Sequence, residues 1–215
     1  MATETARRRH VIDLDDFTPD EIEEILETAE SMKEVLSREI KQVPALRGRT
    51  VVNMFYEEST RTRISFELAA RALSANIVNF TARGSSVEKG ESLIDTVRTL
   101  QALGADIVVI RHSESGAPYL VARHFHGSVI NAGDGRHAHP TQALLDLFTI
   151  SERMGQIRDL KVVIVGDILH SRVARSNLWG LTHMGAHVTL CAPPTLLGPA
   201  SYWTDTWPEV RISHN

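Results

Sequence analysis

Cysteine is almost missing from this sequence: Cys191 is the single example among 215 residues. One thiol excludes an internal disulfide and any cysteine-based zinc site, and with them the small disulfide- or zinc-stapled fold classes. Long apolar runs are missing as well, none approaching the roughly 18 residues of a membrane span. The N-terminus has no apolar secretion-signal core, so cytoplasm is the expected compartment. There is no basic excess either. Lys and Arg number 23 against 27 Asp and Glu, a formal charge of −4, which argues against a general nucleic-acid binder. The one basic cluster, Arg7-Arg8-Arg9, sits at the N-terminus. No G-x-G-x-x-G and no Walker lysine follows an apolar run, so neither a nicotinamide cofactor nor a Walker-type site is expected. The ten histidines include the pairs His124/His126 and His137/His139. No acidic residue stands at a ligand-like helical spacing from them, and no metal is expected.

What is present is an ordinary globular composition, 42% hydrophobic and 23% charged, written as alternating strand-like and helix-like runs. Thr18-Pro19-Asp20-Glu21 is a capping box with proline at the first helical position, opening an amphipathic helix to about Arg38. Strands are expected at 50–56, 76–80, 106–110, 128–131, 161–166 and 187–191. Helices are expected after Ser59, from Ser92 to Gly104, over 117–125, from about 139 to 154, and over 173–184. Ala132 to Gly135 reads as a turn, and the segment after Pro193-Pro194 as a turn-rich tail. Strand–helix alternation implies an α/β fold of two doubly wound parallel-sheet domains. The first is complete and the second only partly present, with the junction near Met154-Gly155 and assigned ranges 1–150 and 151–215.

In such sheets ligands bind beyond the C-terminal ends of the strands. The unusual polar clusters fall at those ends: Ser59 to Arg63, Ser85 to Lys89, Arg111-His112, Asn131 to Gln142, and Asp167 to Arg172. The first joins a β-branched run to an amphipathic helix. A helix N-terminus offers unpaired N–H groups and the positive end of its dipole. Ser59, Thr60 and Thr62 add hydroxyl donors, and Arg61 can grip two phosphate oxygens. Taken alone, Ser59 is also an ordinary N-cap and Arg61 an ordinary solvated arginine. Arg111 suits a carbonyl or phosphate oxygen, and equally an ion pair. His139 and Gln142, three residues apart at a helix start, can address one ligand from neighbouring faces.

Ser59-Thr60-Arg61-Thr62-Arg63 with Ser65-Phe66-Glu67 resembles the carbamoyl-phosphate signature of the aspartate and ornithine carbamoyltransferases. Ser85 to Ser92 resembles that family's second carbamoyl-phosphate loop. Ile110-Arg111-His112, Asn131 to Gly135 and His139-Pro140-Thr141-Gln142 are similar to its further signatures. Gly166-Asp167-Ile168-Leu169-His170-Ser171-Arg172-Val173-Ala174-Arg175-Ser176-Asn177 is similar to the amino-acid-binding loop of its aspartate-specific members. The resemblance runs from about Val11 to Pro194, with these motifs in order.

The resemblance implies an activity, transfer of the carbamoyl group of carbamoyl phosphate to the α-amino group of L-aspartate, a step of pyrimidine synthesis. It implies that Ser59, Thr60, Arg61 and Thr62 hold the phosphate, while Thr62, Arg111 and His139 surround the carbonyl oxygen. Gln142 would contact the carbamoyl amide, and Arg172 a carboxylate of aspartate. Lys89 and a neighbouring serine, Ser85 or Ser86 with Ser85 favoured, would enter from the adjacent subunit of a homotrimer. Arg61, Thr62, Lys89, Arg111 and His139 are the implied catalytic set, with no cofactor; a regulatory or pathway partner subunit is compatible with the family. Family members continue past the point matched to Asn215, so the second domain is expected to be incomplete. Two other readings stay open: a carbamoyltransferase for another amine, ornithine first, and a non-catalytic product that binds carbamoyl phosphate.

Overall fold

The computed structural model describes residues 8–81 and 91–214. Chain contacts divide it into two compact units. One combines the N-terminal stretch ending at Ile12 with Val35–Asp134; the other combines Asp13–Glu34 with the chain from Gly135 onward.

The first unit is a four-stranded parallel sheet in the order β2-β1-β3-β4, formed by β1 (Thr50–Phe55), β2 (Asn76–Thr81), β3 (Ile107–His112) and β4 (Ser128–Asp134). Both faces of β1 and β3 are buried, which is why they read as continuous apolar runs and not as alternating ones. Val52, Met54, Val108 and Ile110 pack with Val97 and Leu100 of α3 (Leu93–Ala102) and Val121 of α4 (Ala117–His124). Val51, Phe55 and Val109 form a second cluster with Ala70 of α2 (Thr60–Ala72). The β1–α2–β2 crossover places β2 on one side of β1, and the chain returns through α3 to place β3 on the other. The strand order therefore reverses between β1 and β3, the switch point where α/β sheets bind ligands. Val11 adds a bridge beside Ile130 on β4.

The second unit contains a three-stranded parallel sheet, β5-β6-β7, made of β5 (Lys161–Val165), β6 (His187–Cys191) and β7 (Arg211–Ser213). Helix α5 (Pro140–Met154) packs along α6 (Arg172–His183). Leu147 of α5, Leu178 and Leu181 of α6, and Leu14 are buried there. Most of α1 (Pro19–Ser37) belongs to this unit, and its Lys33 pairs with Glu152 of α5. The capping box is formed as read: the Thr18 N–H donates to Glu21 and the Glu21 N–H donates to the Thr18 hydroxyl.

Two expectations differ from what is found. Ala132 to Asp134 continue β4, because Asp134 still pairs with His112 of β3 across an irregularity in the register. The tail is not merely turns. It forms two one-turn helices, α7 (Pro194–Leu197) and α8 (Ser201–Thr204), and then β7, which pairs with β6. By chain contacts, α5 groups with the second compact unit. Among the described residues no helix is long and apolar enough to cross a membrane.

Candidate active-site groups

In the first unit, the switch point gathers Ser59, Thr60, Arg61, Thr62 and Arg111. Ser59 is extended and caps α2, its Oγ accepting from the Thr62 N–H at 3.4 Å. Its carbonyl accepts from the Arg63 N–H. The N–H groups of Thr60 and Arg61, on the first turn, have no acceptor within the helix. The Arg61 side chain is exposed and Thr62 is half-buried. The cap thus holds the first turn of α2, whose remaining N–H donors the helix does not use.

Arg111 sits beside Phe55 in the β1–β3 register, and its carbonyl accepts from the Tyr56 N–H. Its guanidinium is buried and pairs with the Glu57 carboxylate, while Nη1 donates to the Ala132 carbonyl at 3.1 Å. Of the two open readings of Arg111, the ion pair is the one this structure contains. Glu57 lies two residues before the Ser59 to Arg63 cluster. Next to Arg111, the His112 ring packs on Tyr56 with centroids 4.9 Å apart, and its Nδ1 accepts from the Glu114 N–H. Burial lowers the His112 pKa from its usual 6.5, opposed by the charges of Glu114, Asp134 and Glu57. Burial also raises the Tyr56 phenol. This corner of the sheet thus keeps its imidazole neutral and its phenol protonated near neutral pH.

The second unit gathers His139, Gln142 and Arg172. His139 is not on the helix; it is the N-cap residue of α5, with its side chain making no cap bond and Pro140 following as the first helical residue. Its N–H donates to Oγ of Ser176 on α6 at 2.9 Å, a buried bond. The Thr141 hydroxyl lies 3.5 Å from its Nδ1. Gln142, in the first turn of α5, donates from Nε2 to Asp146. Arg172 opens α6, and its Nη1 donates to the Gly135 carbonyl at 3.0 Å. Helix α6 thus anchors the 135–146 segment at several points, through Arg172, Ser176 and Asn177. His137, one of the paired histidines, lies 3.3 Å from the Asp13 carboxylate. Among the described residues no group of three or more His, Cys, Asp or Glu side chains is placed to hold a metal ion.

Ser85, Ser86 and Lys89 lie outside the described residues. The residues that sequence reasoning passed over are Glu57, Asp146, Ser176 and Asn177. Only one carried a local signal, Asp146, which stands at i+4 from Gln142 on an expected helix.

A sequence profile described as the carbamoyl-P binding domain of aspartate/ornithine carbamoyltransferase matches residues 9–152. The aspartate carbamoyltransferase catalytic subunit of Chloroflexus aurantiacus is 83% identical over 210 residues, covering 98% of this chain and 68% of that protein. The catalytic subunit of M. jannaschii aspartate transcarbamoylase superimposes with a TM-score of 0.85 at 38% identity, over 96% of this chain and 68% of that one. Aspartate transcarbamoylase from Trypanosoma cruzi, solved in complex with carbamoyl phosphate and aspartate, gives 0.87 at 30% identity, over 95% and 65%. The chain spans about two thirds of the length of these relatives. Identity sustained over nearly the whole chain, together with a profile that spans most of it, leads to one conclusion: the chain belongs to the family of aspartate carbamoyltransferase catalytic subunits.

Proposed function

We propose that this chain acts as the catalytic chain of an aspartate carbamoyltransferase, moving the carbamoyl group of carbamoyl phosphate to the α-amino group of L-aspartate. The products are N-carbamoyl-L-aspartate, a pyrimidine precursor, and phosphate. The observation that carries the reading is the capped first turn of α2 beside buried Arg111 at the β1–β3 switch point. This is an anion cradle built from helix N–H groups, hydroxyls and guanidinium, within the segment matched by the carbamoyl-P binding profile.

Ser59, Thr60, Arg61 and Thr62 take the phosphate; Thr62, Arg111 and His139 take the carbonyl oxygen; Gln142 takes the carbamoyl amide. Arg172 takes an aspartate carboxylate. In the reaction, the deprotonated amine attacks the carbamoyl carbon, an N–C bond forms, and charge gathers on the carbonyl oxygen. Donors aimed at that oxygen stabilise the charge as it develops. The C–O bond to phosphate then breaks, and the leaving phosphate accepts the amine proton, so no side-chain nucleophile is required. Holding two substrates in register supplies much of the acceleration. Residues 1–150 form the carbamoyl-phosphate-binding domain in this reading, and 151–215 begin the aspartate-binding domain.

The working assembly is a cytoplasmic homotrimer with Lys89, and Ser85 beside it, reaching the neighbouring subunit's site. Its support is exposed apolar side chains on the cradle unit: Ile64 and Leu68 on α2 are 44% and 60% exposed, and Val78 on the edge strand β2 is 45% exposed. The test is product formation from carbamoyl phosphate with aspartate, and separately with ornithine, using the chain ending at Asn215. N-carbamoyl-aspartate as the product is the expected result. Citrulline formation instead would overturn the assignment of Arg172, and no product with either amine would leave a chain that binds without turnover.

A further inference from the structure

Three polar side chains in the second unit form a chain that the roles above leave unexplained. Gln142 Nε2 donates to Oδ1 of Asp146, one turn along α5, at 2.9 Å. The other carboxylate oxygen, Oδ2, accepts from Nδ2 of Asn177 on α6 at 2.7 Å. Each carboxylate oxygen thus takes one amide, and both Asp146 and Asn177 are half-buried. A carboxylate offers acceptors only, so any amide facing it must turn its NH2 group inward. Chemistry therefore decides which way Gln142 points, even though its O and N atoms look alike. With Nε2 committed to Asp146, the atom left for any other partner is the acceptor Oε1. Asn177 Oδ1 is itself buried with no hydrogen-bond partner, so the network forgoes an acceptor in order to keep its donor on Asp146.

We propose that Asp146, braced by Asn177, is a positioning residue that sets the polarity of Gln142 and thereby makes the site select a carbamoyl group by its NH2. The inference rests on the pairing of Gln142 with the carbamoyl amide proposed above. An acyl phosphate carrying a methyl group in place of the amine gives Oε1 nothing to accept and leaves it unpaired. Acetyl phosphate is that probe, because it keeps the phosphate and the carbonyl and changes only the third substituent.

The test measures dissociation constants for both acyl phosphates in the wild-type chain, Asp146→Asn, Gln142→Met and the double variant. In Asp146→Asn, the new amide accepts from Asn177 and donates to Gln142 Oε1, so Nε2 turns toward the ligand. Carbamoyl phosphate should then bind about tenfold more weakly while acetyl phosphate is unchanged, which erases the preference. On the Gln142→Met background the same substitution should have no further effect on the preference, since there is no polarity left to set. Equal weakening of both ligands, a preserved preference in Asp146→Asn, or the same loss on both backgrounds would each overturn the proposal. A wild-type chain with no preference for carbamoyl over acetyl phosphate would instead overturn the pairing of Gln142 itself. The affinity for acetyl phosphate also reports that each variant is folded.

Discussion

Arg111 and His112 are consecutive on β3 and meet burial in opposite ways. The guanidinium keeps its charge, because Glu57 and the Ala132 carbonyl replace the water it has lost; a buried charge survives only when so paired. The imidazole next to it stays neutral, its pKa held below 6.5 chiefly by desolvation. That difference has a thermodynamic consequence. Between the lowered folded value and the usual 6.5, the unfolded chain binds more protons than the folded one, so stability rises with pH across that window. His112 therefore contributes stability in full above pH 6.5, and the contribution is lost as pH falls through the folded value. His10 and His183, also lowered by burial, act with the same sign. Replacing His112 with Asn should thus flatten, without abolishing, the loss of stability on acidification below pH 6.5. Urea midpoints followed by circular dichroism at pH 7.5 and 5.5 would show it, and an identical pH difference in the variant would contradict the linkage. Tryptophan fluorescence is the wrong probe for this corner, because Trp179, Trp203 and Trp207 all lie in the other unit.

At the scale of elements, the second unit's chemistry depends on how closely α5 and α6 approach. Gly180 marks the contact. A Cβ there would lie 2.8 Å from Cδ1 of Leu147 and 3.3 Å from Cδ1 of Leu14, and both leucines are fully buried. Gly180→Val should cost about 1–3 kcal/mol through overpacking, more than the few tenths it regains in helix propensity. It should also loosen the hold of Ser176 and Asn177 on α5. A lowered urea midpoint read by tryptophan fluorescence is the expected result, and an unchanged midpoint would show that the helices have slack. The same elements show what was legible beforehand. The caps at Thr18, Ser59 and Ser92 announced three helices, since capping is written in adjacent residues. Ser59, where the proposed cradle begins, was legible for the same reason. β7 was not, because Arg211-Ile212-Ser213 is too short to show any period and exists as a strand only through β6. The brace from Asn177 to Asp146 was equally hidden: it joins residues on different helices, and nothing local marks a tertiary hydrogen bond.

At the scale of the whole molecule, the amino-acid pattern assigns the phosphate grip and the Lys89 loop to one chain, while the proposed function has them serve different sites. That arrangement can be tested by mixing. Arg61→Ala strips a charge-assisted donor from the phosphate, a loss of about 2–4 kcal/mol in binding, and Lys89→Ala removes the cation reaching the neighbour. Each variant alone should be nearly inactive. In a trimer assembled from both, a site is intact wherever the chain supplying Arg61 is the Lys89→Ala variant and the chain supplying Lys89 is the Arg61→Ala variant. Random assembly of equal amounts therefore restores about a quarter of the sites, because closed cyclic symmetry gives every chain one neighbour on each side. Turnover with carbamoyl phosphate and aspartate should recover to that fraction once the two chains have exchanged. If verified mixed trimers stay as inactive as either parent, Lys89 serves the site of its own chain. The exposure of Ile64 and Leu68 on α2 would then need another explanation.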